Sequence, residues 1–203
     1  MAEATFTLRP IRPEDYRQVR NIYEMGLESG HATYETTAPT WEQFTRAKIM
    51  ETVFVAVDNE DPEKLLGWVS AAPISSRSVF HGVVENSIYT HPDARGRGVA
   101  GALLDKLIET CRDLHKWGIH AWVFPENEGS AGLHRSRGFE KVGTYHHLAK
   151  MTYGDMAGQY RDTDIYELLL PKPEEKAEAA VSDGSDVADV VELPVDTPQA
   201  ARA

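Results

Sequence analysis

The run Arg95-Gly96-Arg97-Gly98-Val99-Ala100-Gly101 sets three glycines and two arginines at the head of an apolar helical pattern. Glycine leaves the backbone bare, so a ligand can come close to the amides. The helix behind the loop points unpaired N–H groups and the positive end of its dipole back toward it. Loop amides, a helix N-terminus and two guanidinium groups together make an anion site, and a phosphorylated ligand is the expected guest. The second feature is Glu85, an acid in a run otherwise carrying Val83, Val84 and Ile88. Burial of a carboxylate is costly unless it is solvated or paired, and it raises the pKa toward values useful to a general base. An outward-facing strand acid is the plainer alternative. Cys111 falls on the apolar helix face and is expected in the core rather than as a nucleophile. Adjacent His146 and His147 on a strand point to opposite faces and cannot share an ion, so no metal site is expected.

The elements that must position these groups follow from periodicity. Residues 5–11 alternate as a first strand, and Pro13 opens a helix whose stripe is Tyr16, Val19, Ile22, Tyr23 and Leu27, ending near Gly30. A Thr-rich loop, 31–40, leads to a capping box of Thr40 and Gln43 that predicts a second helix through about Met50. Strands are expected over 53–57 and 65–72 as a hairpin, then over 83–89 after a polar connection at 74–82. Ala100, Leu103, Leu104, Leu107, Ile108 and Cys111 recur at helical spacing, with Gly118 closing that region. A strand at 119–124, a short helix at 129–137 and strands toward His147 and over 165–170 complete a mixed α/β order, β-α-α-β-β-β-α-β-α-β-β. The segment holding Gly154 and Gly158 joins the last two strands.

The 203 residues suit one domain with an appendage. The core-forming part is 1–170. Residues 171–203 hold eight acidic and three basic residues, many Ala and Pro and no aromatic, and are expected to be a disordered tail. A net charge of −11 argues against general binding to nucleic acid or anionic membrane. No apolar run approaches the ~18 residues of a membrane span, and the first residues lack the features of a signal peptide. One cysteine excludes an intramolecular disulfide and fits a reducing cytoplasm.

Gly96-x-Gly98-x-x-Gly101 matches the dinucleotide fingerprint, but five residues (91–95) separate it from the preceding strand and too little chain follows for a long parallel sheet. The same residues also read Arg95-x-x-Gly98-x-Ala100. With the strand before the loop, the helix after it, and Asn127-x-x-Ser130-x-x-Leu133-His134 leading to Gly138-Phe139, residues 5–170 resemble the GCN5-related N-acetyltransferases (GNAT), whose fold is a mixed six- to seven-stranded sheet flanked by helices. Pro73, Arg77, the run Val84-Glu85-Asn86-Ser87-Ile88-Tyr89, Asn127 and His134 bring the likeness nearest to the phosphinothricin and methionine sulfoximine N-acetyltransferases.

The resemblance implies acetyl-coenzyme A as co-substrate, a small amine as acceptor, direct transfer, and a homodimer. It places the pantetheine arm against backbone groups of Ile88, Tyr89 and Thr90, the pyrophosphate on residues 95–101 (Arg95, Gly96, Arg97, Gly98, Val99, Ala100, Gly101), and Asn127 with Ser130 at the mouth. It gives Glu85 the role of base and sets His134 facing the thioester sulfur as a proton donor or relay. Arg77 would anchor a substrate carboxylate, although Ser75 stands where relatives often carry Lys. Asn86, Ser87 and Tyr34 would wall the acceptor pocket. A protein N-terminal acetyltransferase or a non-catalytic acyl-coenzyme A-binding module would share the same cradle.

Overall fold

A computed structural model describes residues 5–172. The expected tail lies outside the described residues, except for Pro171 and Lys172. Seven strands form one sheet in the order β1-β2-β3-β4-β5-β7-β6. They are β1 (Phe6–Pro10), β2 (Ile49–Asp58), β3 (Leu65–Pro73), β4 (Val83–Thr90), β5 (Gly118–Val123), β6 (Glu140–Lys150) and β7 (Tyr160–Leu169). Every pairing is antiparallel except β4 with β5. The helices are α1 (Tyr16–Glu28), α2 (Trp41–Ala47), α3 (Val99–Asp113) and α4 (Glu128–Arg135).

The helices divide between the two faces of the sheet. On one, α3 sets its stripe of Leu103, Leu104, Leu107 and Cys111 on Val69, Ala71, Val84 and Ile119. On the other, Val19 and Ile22 of α1 and Phe44 of α2 cover Val53, Val55 and Trp68. The middles of β2 and β3 are covered on both sides, so they read as continuous apolar runs rather than as alternation. Burial pushes the Cys111 thiol up to about 11, in keeping with a packing role.

Two departures from the periodicity matter for the site. The capping box of Thr40 and Gln43 forms, but α2 stops at Ala47; β2 begins at Ile49, so Met50 is strand and not helix. A register shift between Ile49 and Phe54 bends β2. The buried Thr52 hydroxyl closes that bend, donating to Ile49 O at 2.6 Å and accepting from Ala71 N at 2.9 Å. Likewise α3 ends at Asp113, and Gly118 opens β5 instead of closing a helix. In β6 the register breaks between Tyr145 and Ala149, with His147 at φ 53°; Asp162 holds both His146 Nδ1 and His147 N.

Candidate active site

The parallel ladder of β4 and β5 stops at Glu85↔His120. From there β4 stays paired only with β3, as far as Thr90, and β5 only with β7, as far as Val123. The backbone edge of residues 86–90 is therefore left without a strand partner on its β5 side. A cavity of about 1010 Å³ opens into this fork, lined at one end by Arg95 and Ala100, the two ends of the glycine loop, and elsewhere by Glu85 and the loop around Tyr34.

Side chains brace the fork where the ladder ends. Asn86, 7% exposed, donates Nδ2–H to His120 O at 3.0 Å. Its Oδ1 lies 3.2 Å from His134 Nε2. His134 is 2% exposed between Phe139 and Tyr166, and its Nδ1 donates to Ser130 O at 2.8 Å. Nδ1 must carry the proton it gives to the Ser130 carbonyl, and burial holds the imidazole pKa below its usual value, so in the neutral form Nε2 carries a lone pair beside Asn86 Oδ1. His134 lines the cavity where the β4–β5 ladder ends, with Nδ1 tied to Ser130. Ser130 Oγ is 3.4 Å from Nδ1. Asn127 is likewise engaged: its Oδ1 caps α4 by accepting from Ser130 N at 3.0 Å, and Nδ2 donates to His31 O at 3.1 Å.

Glu85 is half-buried and shares a face of β4 with Ser87 and Tyr89. Burial pushes its carboxyl above the usual range, and the charges of Lys48 and His120 pull partly back. Glu85, His120 and Glu167 are register neighbours across β4, β5 and β7, and His120 Nε2 is 3.3 Å from Glu167 Oε1. A row of titratable groups therefore crosses the sheet from the cavity toward the opposite edge.

Lys48 was not legible as a site residue. It follows α2 in extended conformation (φ −107°, ψ 151°) and reaches into the cavity, where Nζ donates to Ser87 Oγ at 3.0 Å. Extending α2 through residue 50 places Lys48 on a helix. The β-rich run Ile49 to Thr52, continuous with 53–57, is the signal that would have placed it at a strand's mouth.

In the loop, Gly96 (φ 75°) and Gly98 (φ 77°) are both left-handed, and a Cβ on either would meet nothing within 4 Å. Gly98 caps α3 with no side-chain hydrogen bond, which leaves the first amides of the helix open. The exposed Arg95 has no ion-pair partner among the described residues and lines the same cavity as Glu85. Open space over bare amides beside a cation fits a pyrophosphate. Two expectations change here. The Arg97 side chain pairs with Asp58 at 2.9 and 3.1 Å and donates to Thr5 O, holding the Asp58 carboxyl down to about 2; its charge is committed to the fold, and its backbone N–H donates to Ala94 O at 3.2 Å. Gly101 makes room for Arg137, whose guanidinium would lie 2.0 Å from a Cβ there.

The roof is the loop of residues 29–40, tied down from four directions. Arg161, with a side chain only 1% exposed, donates to Gly30 O and meets Glu126 and His31. Tyr34 Oη is 2.7 Å from Thr163 Oγ1, Tyr153 Oη donates to Thr33 O, and Tyr16 Oη donates to Pro39 O. The segment after β6 thus holds the roof through Tyr153. Beneath it Tyr23, Trp68 and Tyr89 stack with centroids 4.8–6.2 Å apart, giving an aromatic wall. Arg77 is not brought to this cavity. It is exposed and lines a separate depression with Ile49, Pro73 and His81.

Comparison with known proteins agrees with this geometry. Residues 16–139 match the model of the Acetyltransferase (GNAT) family. The chain is 30% identical over 176 residues to the phosphinothricin N-acetyltransferase of Streptomyces coelicolor, covering 82% of this chain and 98% of that protein. It is 33% identical over 129 residues to the L-methionine sulfoximine/L-methionine sulfone acetyltransferase of Pseudomonas aeruginosa, covering 62% and 69%. Among solved structures, a GNAT superfamily phosphinothricin acetyltransferase from Sinorhizobium meliloti in complex with AcCoA superposes with a TM-score of 0.73 at 29% identity, covering 87% of this chain and 97% of that one. The family match over residues 16–139 and the relative covered over 82% of this chain show that the chain belongs to the acetyltransferase (GNAT) family.

Proposed function

We propose that this enzyme moves acetyl from acetyl-coenzyme A to the amine of a small amino-acid-like acceptor, by direct transfer. The observation that carries the reading is the placement of a half-buried carboxyl, Glu85, between an anion cradle and an aromatic-walled chamber in one cavity. Bound acetyl-coenzyme A supplies an activated acetyl group as its thioester. The amides of Gly96 and of residues 98–101 and the guanidinium of Arg95 would hold its pyrophosphate, and the open edge of residues 88–90 its pantetheine arm. An N–H on that edge polarises the carbonyl. Glu85 accepts a proton from the acceptor's ammonium, since only a neutral amine is nucleophilic and most amines are protonated at neutral pH. His120 and Glu167 continue the row along which that proton can leave. Asn86, bonded to His120 O, holds the fork where the ladder ends, and His134 beside it can take up or pass on a proton through Nε2.

The pinned roof favours a small acceptor over a peptide, which would need an open groove. Exposed apolar side chains on the β5, β6 and β7 end of the sheet support a homodimer: Trp122, Val142, Tyr145 and Tyr160 are all exposed there. A lone buried thiol is in keeping with work in the cytoplasm. Among the described residues no helix is long and apolar enough to cross a membrane. The test is incubation with acetyl-coenzyme A and a panel of amino acids, including phosphinothricin, methionine sulfoximine and methionine sulfone, with free thiol and N-acetylated product both measured. Stoichiometric release of both supports the reading; thiol release without acetylated amine contradicts it.

A further inference from the structure

A zwitterionic acceptor brings an acidic group as well as an amine, and a site that desolvates it must meet both. Arg77, the expected anchor, lies in another depression. Of the lysines and arginines lining the cavity, Arg20 is bonded to Glu24 and Arg95 stands at the cofactor loop. Lys48 is different. It is half-buried, its ammonium bonds the neutral Ser87 hydroxyl, and no carboxylate stands within ion-pair distance among the described residues. Glu85 is close enough to act on it through space, yet the two form no direct pair. Ser87 and Glu85 are two residues apart on one face of β4, about 7 Å along the strand. A cation and a carboxyl at that spacing present complementary charges to the two ends of an amino acid.

We propose that Lys48 is the anchor for the acidic group of the acceptor, a carboxylate or an equivalent oxyanion, held at Ser87 while the amine sits at Glu85. This inference rests on the acetyl-transfer reading and specifies the acceptor as an amine that also carries an anion. The β2 bend closed by Thr52 sets the anchor, because it fixes Ile49 opposite Ala71, which in turn pairs with Asn86 beside Ser87, and Lys48 precedes Ile49. An ammonium fits a small oxyanion as a point charge and accepts carboxylate, phosphinate or sulfonate alike.

The experiment compares Lys48→Met and Lys48→Arg with wild type on amino acids and on the same compounds as carboxamides, each with acetyl-coenzyme A. Losing a charge-assisted bond predicts that Lys48→Met raises KM for the acids about 10- to 100-fold while the carboxamides change less than about twofold. Lys48→Arg restores part of the loss. Coenzyme A affinity, read by calorimetry, stays at the wild-type value and shows that the variant is folded. If acids and carboxamides lose equally, Lys48 serves Glu85 or the fold and the anchor is overturned, with the acetyl-transfer reading intact. If wild type prefers carboxamides or plain amines, the anchor is overturned too. If wild type acetylates no amine at all, it is the underlying reading that fails.

Discussion

Gly98→Ala separates backbone strain from ligand contact. Gly98 sits at φ 77° as the N-cap of α3, and a Cβ there would meet nothing within 4 Å, so the free protein loses no packing. An L-residue in the left-handed region costs ~1–2 kcal/mol, which in a domain of this size is a fall of about 2–8 °C in Tm. The space above Gly98 is where a pyrophosphate would lie against the amides. Displacing it by a methyl group loses at least one charge-assisted bond, ~1.5–3 kcal/mol, or about 10- to 150-fold in coenzyme A affinity. Gly158→Ala is the matched control: φ is 84°, nothing lies within 4 Å, and the residue sits in the β6–β7 connection rather than in the glycine loop, so Tm falls while affinity holds. Differential scanning calorimetry and titration calorimetry of both variants supply the numbers. Equal coenzyme A affinity for Gly98→Ala and Gly158→Ala would refute the cradle, whatever the melts show.

Four further outcomes follow from the same geometry. Glu85→Gln lowers kcat by about 100-fold or more, the scale of a lost general base, with coenzyme A affinity kept; equal turnover by stopped-flow thiol detection would remove the base. His134→Ala opens a cavity and removes the bond to the Ser130 carbonyl, so urea melts show ~2–4 kcal/mol lost together with a lower kcat; stability lost with kcat unchanged would leave the imidazole a packing group only. Thr52→Val removes both hydrogen bonds at the β2 bend, ~1–3 kcal/mol by urea melts, and raises acceptor KM more than coenzyme A Kd; unchanged acceptor KM counts against the bend setting Lys48. Cys111, with its thiol pushed up to about 11, resists thiol reagents at pH 8 until denaturant is added; rapid labelling of the native enzyme contradicts its burial.

Much of this fold is legible in the chain because local rules and tertiary packing agree. The α3 stripe, the loop glycines and the apolar runs of β2 and β3 announce themselves by period and composition. The capping box marks the start of α2 correctly, but its end is fixed by β2 pairing against β3, a contact with no local signature, and Lys48 is lost with it. Arg97 shows the reverse limit. A guanidinium in a glycine loop reads as ligand-facing, yet Asp58, far away in sequence, claims it. Arg77 reads as an anchor because of its type and neighbours, while its distance from Glu85 depends on how the 74–82 connection folds over β2. Side-chain type was visible in the sequence; which partner reached it first was not.

The pH dependence of kcat/KM for the best amino-acid acceptor, in wild type and Glu85→Gln, bears most directly on the central claim. Burial raises the Glu85 carboxyl and Lys48 draws it back down, so wild-type rate should fall as pH drops through a value above the usual ~4.3 of glutamate. Lys48→Met should move that limb further up, and Glu85→Gln should abolish it along with most of the turnover. An acidic limb that persists unchanged in Glu85→Gln, at near wild-type rate, would mean that another group takes the amine's proton.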